Sequence, residues 1–165
     1  MSDETHERLI QLLEQRGAHY RLIDHPPEGR TEIVSRLRGH DPRLAAKCMI
    51  LMVKIGKKTT KHVLAVVPGN QRVSFAAVKE LLGATYVSVA SPEIAERLAG
   101  SVAGTVLPFA LRGEMEVIAD PALRGIEEIY FNAALLDRSI ALNAADYFAI
   151  ANPRMAKIAA DGAAV

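Results

Sequence analysis

The stretch Ala45-Ala46-Lys47-Cys48-Met49-Ile50-Leu51-Met52-Val53 is the segment around which the fold can be worked out. It is apolar apart from one lysine and contains no Gly or Pro, a pattern that predicts a buried β-strand. Side chains alternate between the two faces of a strand, so Lys47 and Met49 share one face and Cys48 lies on the other. A lysine on an apolar face either reaches water at the strand's edge or is held there to bind a negatively charged group.

The segments around this strand mix helical and extended patterns without regular alternation. Helices are predicted for residues 4–16 and 32–38, and between Ser74 and Leu82, Ser91 and Gly100, and Asn143 and Ile150. Strands are predicted for residues 19–24, 61–67, 85–89, 116–119, 129–132 and 139–142. Because several strands follow one another directly, the pattern favours an α+β domain with a curved, mixed sheet over a doubly wound fold. Residues 1–158 are predicted to form this single domain, and residues 159–165 a frayed tail.

Composition narrows the class of protein. The chain has 165 residues, half of them hydrophobic, and a net charge of +1, which suits one globular domain and gives no global field for nucleic acid. A single cysteine excludes a disulfide framework and a cysteine zinc cluster. The polar, acidic start is unlike a signal peptide, and no apolar run approaches the ~18 residues of a membrane span. We therefore expect a cytoplasmic protein that does not enter a membrane.

Standard catalytic sets are missing from the sequence. Cys48 is predicted to face the core, where thiols are inert, and the five histidines have no zinc-ligand spacing. No serine lies in a nucleophile-elbow motif, and no glycine pattern matches a phosphate-binding loop. Two features remain: Lys47, and the segment from Gly104 to Pro108, whose backbone N–H groups could hold a carbonyl oxygen. Such a segment is also common as a simple turn.

Five short motifs occur in an order that resembles a known family. They are His25-Pro26-Pro27 with Thr31, Asp41-Pro42-Arg43-Leu44-Ala45-Ala46-Lys47, Val66-Val67-Pro68-Gly69-Asn70-Gln71-Arg72-Val73, Gly100 to Phe109, and Asp120-Pro121-Ala122-Leu123. From about His19 to Ile150 the chain resembles the YbaK-like family. Its members are free-standing relatives of the editing domain inserted in bacterial prolyl-tRNA synthetase. The resemblance implies that family's fold, a curved, barrel-like mixed sheet flanked by helices.

The resemblance also implies an activity, the hydrolysis in trans of the ester bond in a mischarged aminoacyl-tRNA. Lys47 matches the family's strand lysine, which anchors phosphate near the terminal adenosine of the tRNA. The loop from Gly104 through Thr105 to Pro108 matches the loop that positions the aminoacyl carbonyl. Water is the attacking group, helped by the ribose hydroxyl or by the substrate itself. No cofactor or metal is implied. The partners are the 3′ acceptor end of the mischarged tRNA and, as a candidate, an aminoacyl-tRNA synthetase.

The late strand bears on which amino acid is removed. The alanine-clearing branch of the family tends to carry His-Pro followed by Asn there, whereas this chain has Tyr130-Phe131-Asn132 and then Asp137-Arg138-Ser139. Asn132, Asp137 and Ser139 could supply polar contacts to a hydroxylated side chain, so Ser or Thr is expected over Ala or Cys. We add Met49, on the Lys47 face, to the predicted substrate contacts. An exposed ion pair is the alternative explanation for Asp137-Arg138.

Two other functions are compatible with the same residues. The first is a non-catalytic module of the same fold that binds aminoacyl-tRNA or a synthetase. The second is a small-molecule domain in which Lys47 pairs with a carboxylate. A basic cluster could receive the tRNA backbone, although a solvated hairpin explains its lysines equally well. The cluster comprises Lys54, Lys57, Lys58, Lys61, Arg36, Arg38 and Arg43.

Overall fold

A long antiparallel hairpin lies at the centre of the fold in the computed structural model, which describes residues 1–113 and 115–161. Its strands are β2 (Ala46–Ile55) and β3 (Thr59–Pro68), paired from Ala46 opposite Pro68 to Ile55 opposite Thr59. The strands predicted around Lys47 and for residues 61–67 are therefore confirmed, and the structure joins them in one hairpin. Ten consecutive residue pairs make it the longest ladder in the described chain, because neither strand contains an interior Gly or Pro that would interrupt it.

The remaining elements surround this hairpin. The helices are α1 (Ser2–Gln15), α2 (Thr31–Arg38), α3 (Phe75–Leu82), α4 (Pro92–Ala99) and α5 (Ala144–Ala151). The other strands are β1 (Tyr20–Asp24), β4 (Gln71–Val73), β5 (Tyr86–Val89), β6 (Glu116–Ala119), β7 (Glu128–Asn132), β8 (Arg138–Asn143), β9 (Arg154–Met155) and β10 (Ala159–Asp161). None of the helices within the described ranges is long and apolar enough to cross a bilayer.

The strands form a five-stranded sheet in the order β5-β2-β3-β6-β9, a three-stranded sheet β1-β8-β7, and the pair β10-β4. In the largest sheet, β2 runs antiparallel to β3 and β5, whereas β6 is parallel to β3 and β9. The predicted α+β class and mixed sheet are thus confirmed. A single parallel bridge between Ala45 and Tyr130 joins the three-stranded sheet to the start of β2. The candidate site lies at this junction.

The alternating pattern of β2 separates two hydrophobic cores. Ile50 packs into the first core with residues such as Phe131 and Tyr147. Leu51 and Val53 pack on the other side, in the second core. Because successive side chains point to opposite faces, one apolar strand can serve both cores, as its continuous apolar run predicted.

Three helices begin at side chains that cap them, at the positions where the sequence predicts these helices to start. Ser74 accepts a hydrogen bond from the Ala77 N–H at 3.1 Å and begins α3, and Ser91 and Asn143 begin α4 and α5 in the same way. Thr31 is different: it is the first residue of α2, and no side chain caps this helix.

The frayed tail predicted for residues 159–165 is wrong for its first three residues, which form β10 against β4. The physical reason is Asp120, whose carboxylate accepts hydrogen bonds from the N–H groups of Ile158 at 2.9 Å and Ala159 at 2.8 Å. Ile158 is also fully buried in the second core. These contacts fix the backbone that leads into β10. Residues 162–165 lie outside the described part of the chain.

Candidate active site

A cleft of about 210 Å³ opens where the start of β2 meets α2, β7 and the irregular segment around Gly104. Among its lining residues are three of the residues predicted from the sequence, Lys47, Gly104 and Asn132. The full lining is Gly29, Thr31, Val34, Arg38, Ala45, Ala46, Lys47, Cys48, Gly104, Val106, Tyr130, Phe131 and Asn132. These residues are up to about a hundred positions apart, so only the tertiary fold brings them together.

One wall of the cleft is a backbone contact between two glycines. Gly104 has φ +86°, a conformation that side-chain-bearing residues rarely adopt. A Cβ atom at Gly104 would lie 2.8 Å from the Cα of Gly29, and one at Gly29 would lie 3.0 Å from the Cα of Gly104. Only glycine at both positions permits this approach without a backbone shift. The loop from Gly104 to Pro108 is therefore held against the segment that follows His25.

Hydrogen bonds within the loop hold its other residues. The Thr105 hydroxyl donates to the Val102 carbonyl at 2.6 Å, and the Ser101 hydroxyl donates to the Thr105 carbonyl at 3.3 Å. The Tyr147 hydroxyl donates to the Pro108 carbonyl at 2.8 Å. Thr105 and Pro108 thus shape the loop from behind and do not line the cleft. The backbone N–H groups of Gly104 and Val106, which do belong to lining residues, have no hydrogen-bond acceptor among the described residues.

Lys47 lies partly buried at the start of β2, and its Nζ donates to the Gln71 carbonyl at 3.3 Å. Burial lowers the pKa of this ammonium, and the nearby Glu32 carboxylate opposes the shift. The contact with the Gln71 carbonyl therefore holds the ammonium at the edge of the cleft. An ammonium has three N–H donors, so two remain for an anion after the contact with Gln71.

Arg38, the last residue of α2, lines the cleft together with these groups. Its Nε donates to His40 Nε2 at 2.9 Å, and its Nη1 donates to Asn132 Oδ1 at 3.2 Å and Ser139 Oγ at 3.1 Å. All three acceptors are neutral groups. Burial lowers the pKa of the guanidinium to about 10. Sequence reasoning assigned Arg38 only to a surface basic cluster, because no local pattern signals contacts to residues about a hundred positions away.

Asn132 and Ser139 form the support of this arginine. The Asn132 amide donates to the carbonyls of Glu28 at 2.8 Å and Leu135 at 3.1 Å, which fixes its oxygen toward Arg38. Ser139 is fully buried behind Asn132. Its hydroxyl lies 2.7 Å from His25 Nε2, and His25 Nδ1 donates to the Pro26 carbonyl at 2.9 Å. The Ser139 hydroxyl also donates to Asn132 Oδ1 at 3.4 Å, so Ser139 joins His25 to Asn132.

His40 completes the support. Its Nδ1 donates to the Asp41 carbonyl at 2.8 Å, so Nε2 is the acceptor for the Arg38 Nε–H and the ring is neutral. The imidazole stacks on Tyr130 with ring centroids 3.8 Å apart. Burial is the main reason that the pKa of His40 is lowered, and the positive charge of Arg38 adds to the effect. These contacts orient the guanidinium from the side opposite Asn132.

Two of the residues predicted to contact substrate lie elsewhere. Met49 lines a separate groove with Val73 and Phe75, on the face of the sheet that carries the second core. Asp137 is exposed, and its backbone carbonyl accepts from the His25 N–H at 3.0 Å. The alternative Asp137–Arg138 ion pair is not formed either, because Arg138 pairs with Asp24 at 2.7 Å.

None of the described residues that line the cleft is an activated side-chain nucleophile. Cys48 packs against the first core, and burial raises the pKa of its thiol far above the usual value, which keeps it protonated. Across residues 1–113 and 115–161, no group of three or more His, Cys, Asp or Glu side chains could hold a metal ion. The hairpin lysines of the proposed basic cluster do not line the cleft; Lys61, for example, pairs with Glu116 at 3.5 Å.

Comparison with known proteins gives a consistent result. The family model of the aminoacyl-tRNA editing domain matches residues 25–150. An Escherichia coli K12 protein named multifunctional Ser/Thr-tRNA deacylase ProXp-y is 38% identical over 152 residues, which is 92% of this chain and 90% of that protein. A proline–tRNA ligase of Bacillus mycoides is 35% identical over 82 residues, 50% of this chain and 14% of that enzyme.

Solved structures agree on the fold. A crystal structure of a hypothetical protein superposes with a TM-score of 0.83 at 19% identity and covers 93% of this chain and 99% of that one. A protein provisionally assigned as a trans-editing enzyme for prolyl tRNA synthetase gives a TM-score of 0.77 at 20% identity, over 93% and 96% of the two chains. The match of the family model covers well over half of the sequence, including every lining residue of the cleft. The chain therefore belongs to the aminoacyl-tRNA editing domain family.

Proposed function

We propose that this protein is a trans-editing hydrolase that deacylates mischarged aminoacyl-tRNA and prefers seryl and threonyl esters. The observation that carries the proposal is the cleft in which Lys47, Gly104 and Asn132 meet although they are distant in the sequence. Membership in the editing domain family and the 38% identity to a named Ser/Thr-tRNA deacylase support the same activity. The 3′ acceptor end of the tRNA is the part of the substrate that enters the cleft.

The loop at Gly104 supplies the electrostatic part of the reaction. The N–H groups of Gly104 and Val106 have no acceptor among the described residues, which leaves them available to the ester carbonyl oxygen. As water attacks the carbonyl carbon, negative charge develops on that oxygen, and fixed N–H donors stabilise it. The bond between the carbonyl carbon and the ribose oxygen then breaks. The ribose oxygen takes a proton, and the free amino acid leaves.

Water is the nucleophile in this proposal because the cleft offers no activated side chain. Cys48 is held protonated by burial, and the cleft is lined by no carboxylate in the described chain. A water molecule can be activated by the substrate's own amino group or by the neighbouring ribose hydroxyl. Such substrate assistance needs only that the protein fix the ester, which the constrained loop does.

Lys47 anchors the tRNA through a backbone phosphate near the terminal nucleotide. Two of its N–H donors are uncommitted, and its partial burial strengthens a charge–charge contact relative to one in bulk water. An anion bound there would also offset the desolvation that lowers the lysine pKa. Thr105, Pro108 and Ser139 act as positioning residues in this proposal, and Met49 and Asp137 have no role in it.

A deacylation panel tests the proposal. The purified protein is mixed with tRNA charged with Ser, Thr, Ala, Cys or Pro, and the loss of each ester is followed against its spontaneous hydrolysis. Accelerated loss of the seryl and threonyl esters is the expected result. Selective loss of alanyl or cysteinyl ester would keep the editing activity and overturn the preference. Binding of aminoacyl-tRNA without faster hydrolysis of any ester would indicate the non-catalytic module instead.

An aminoacyl-tRNA synthetase is the second partner that we propose, since half of this chain matches part of a proline–tRNA ligase. The test adds purified synthetases to the panel one at a time. A synthetase that recruits this protein raises the rate of ester loss at limiting tRNA concentration. Rates that are independent of every synthetase, with no complex on gel filtration, would contradict this partner.

A further inference from the structure

Arg38 is a largely buried cation whose charge is not neutralised by a neighbouring carboxylate within the described chain. Its hydrogen-bond acceptors are an imidazole, an amide and a hydroxyl, and burial, rather than an acid, dominates its pKa. Burying a guanidinium in this way costs free energy unless a ligand supplies further acceptors. The position of Arg38 in the lining of the cleft makes the bound substrate the natural source of such an acceptor.

Three of the five N–H groups of Arg38 are already used, which fixes the orientation of the planar guanidinium. The Nε–H points to His40, and the two Nη1 hydrogens are shared between Asn132 and Ser139. Nη2 has no acceptor among the described residues, and it is not one of the fully enclosed, unpaired atoms of the structure. One pre-oriented donor nitrogen of the cleft lining is therefore available and accessible.

Within the aminoacyl group, the other polar groups of the site leave the side-chain hydroxyl without an assigned partner. The loop N–H groups take the ester carbonyl, and Lys47 takes a phosphate. The substrate's amino group is itself a donor and is not bound by an arginine. The amide of Asn132 is committed to Glu28 and Leu135, and the hydroxyl of Ser139 donates to Asn132 Oδ1. Neither of these two residues can therefore donate to the hydroxyl of a seryl or threonyl side chain.

We propose that Arg38 is the specificity-determining residue, with Nη2 donating a hydrogen bond to the side-chain hydroxyl of the seryl or threonyl ester. This assignment rests on the proposed editing function. A site built to hydrogen-bond a hydroxyl rejects an analogue that lacks it, because the donor is then left unpaired. Alanyl ester lacks this acceptor, so Arg38 favours serine over alanine although alanine is the smaller side chain.

The test measures kcat/KM for seryl- and alanyl-tRNA with the wild type, Arg38→Met and a control, Arg36→Met. Arg36 is an exposed arginine on the same helix, so the control removes the same charge from outside the cleft. For Arg38→Met we expect a loss of about 100-fold on seryl ester and less than about threefold on alanyl ester. The control should leave the ratio of the two values unchanged.

Equal losses on both esters would overturn the assignment, because they would show that Arg38 contacts a part common to both substrates or only holds the cleft together. No loss on either ester would overturn it as well. Should Arg38→Met not fold by circular dichroism, Arg38→Lys carries the test, since it keeps a charge but loses the planar fork. A wild-type ratio of seryl to alanyl activity in that variant would overturn the assignment. A wild type inactive on all esters would instead refute the proposed function.

Discussion

The cleft and the surface around the three-stranded sheet use arginine in opposite ways. At that surface, three arginines with side chains 36–77% exposed are paired with carboxylates: Arg21 with Glu128, Arg30 with Glu28, and Arg138 with Asp24. Hydrogen bonds to these acids raise the pKa of each of the three. In the cleft, Arg38 is largely buried, has only neutral acceptors, and has a lowered pKa. At the surface, a carboxylate neutralises the arginine charge and occupies its donors. In the cleft, an arginine held by neutral groups keeps its charge and one donor for a ligand.

Gly104→Ala should have the largest effect, because it disrupts the contact between Gly29 and Gly104 that forms one wall of the cleft. The left-handed backbone alone costs a side-chain-bearing residue roughly 1–3 kcal/mol. The new Cβ would also lie 2.8 Å from the Cα of Gly29, so the loop must move. We expect deacylation to fall below detection and the free energy of unfolding, measured by urea denaturation, to decrease.

Gly56→Ala is the matched control for that variant. Gly56 also has a left-handed φ, +64°, but a Cβ there would meet no atom within 4 Å. Gly56→Ala should lower the free energy of unfolding through backbone strain alone, without a steric clash, and it should retain deacylation activity. Equal destabilisation and equal activity of the two variants would contradict the role of the Gly29–Gly104 contact.

Lys47→Ala should have the next largest effect, and on activity rather than stability. We expect kcat/KM to fall about 100-fold as a phosphate contact is lost, because a charge-assisted hydrogen bond to a partly buried ammonium contributes up to roughly 3 kcal/mol. The thermal midpoint should change little, since Nζ has one hydrogen bond to a backbone carbonyl. Lys54→Ala, at an exposed position of the same strand, is the control. An unfolded Lys47→Ala protein would show that the lysine is structural.

Acidification should have a smaller effect, through His40. The groups that face its ring are Arg38, Tyr130 and Asp41. Because the pKa of His40 is lowered in the folded protein, the unfolded chain binds more protons below the ordinary value of 6.5. Its contribution to stability is therefore complete above about pH 6.5, declines as the pH falls toward the lowered pKa, and is constant below that value.

Urea denaturation of the wild type and of His40→Gln at several pH values checks this prediction. Glutamine can place an amide oxygen where His40 Nε2 accepts from Arg38 but does not titrate. The variant should lose part of the decline in stability below pH 6.5. An identical pH dependence of the two proteins would show that His40 is not responsible.

Arg21→Ala should have the smallest effect, because it removes one of the surface arginines that are paired with a carboxylate. The pair with Glu128 is at the surface, where ion pairs contribute less than about 1 kcal/mol. Deacylation of seryl-tRNA should be unchanged, and the thermal midpoint should shift by no more than a few degrees. A loss of activity as large as that of Arg38→Met would remove the distinction between the two kinds of arginine.

Features of the fold that depend on neighbouring residues could be predicted from the sequence. The apolar runs of β2 and of residues 61–67 predicted two strands, and the two hydrophobic cores confirm that β2 is buried on both faces. Ser74 and Ser91 marked helix starts, because a cap acts within three residues. The tail was mispredicted since the carboxylate that orders it, that of Asp120, lies 38 residues before Ile158.

The sequence by itself determined the α+β class and singled out Lys47 and the Gly104 loop as candidates, because these follow from local pattern and residue chemistry. Only the tertiary structure decided which polar groups meet. Arg38 reaches Asn132 across 94 positions and Ser139 across 101, and His25 reaches Ser139 across 114. No periodicity or motif encodes such contacts, since they arise when separate strands and helices bury their apolar faces in one core and leave their polar ends at a shared cleft.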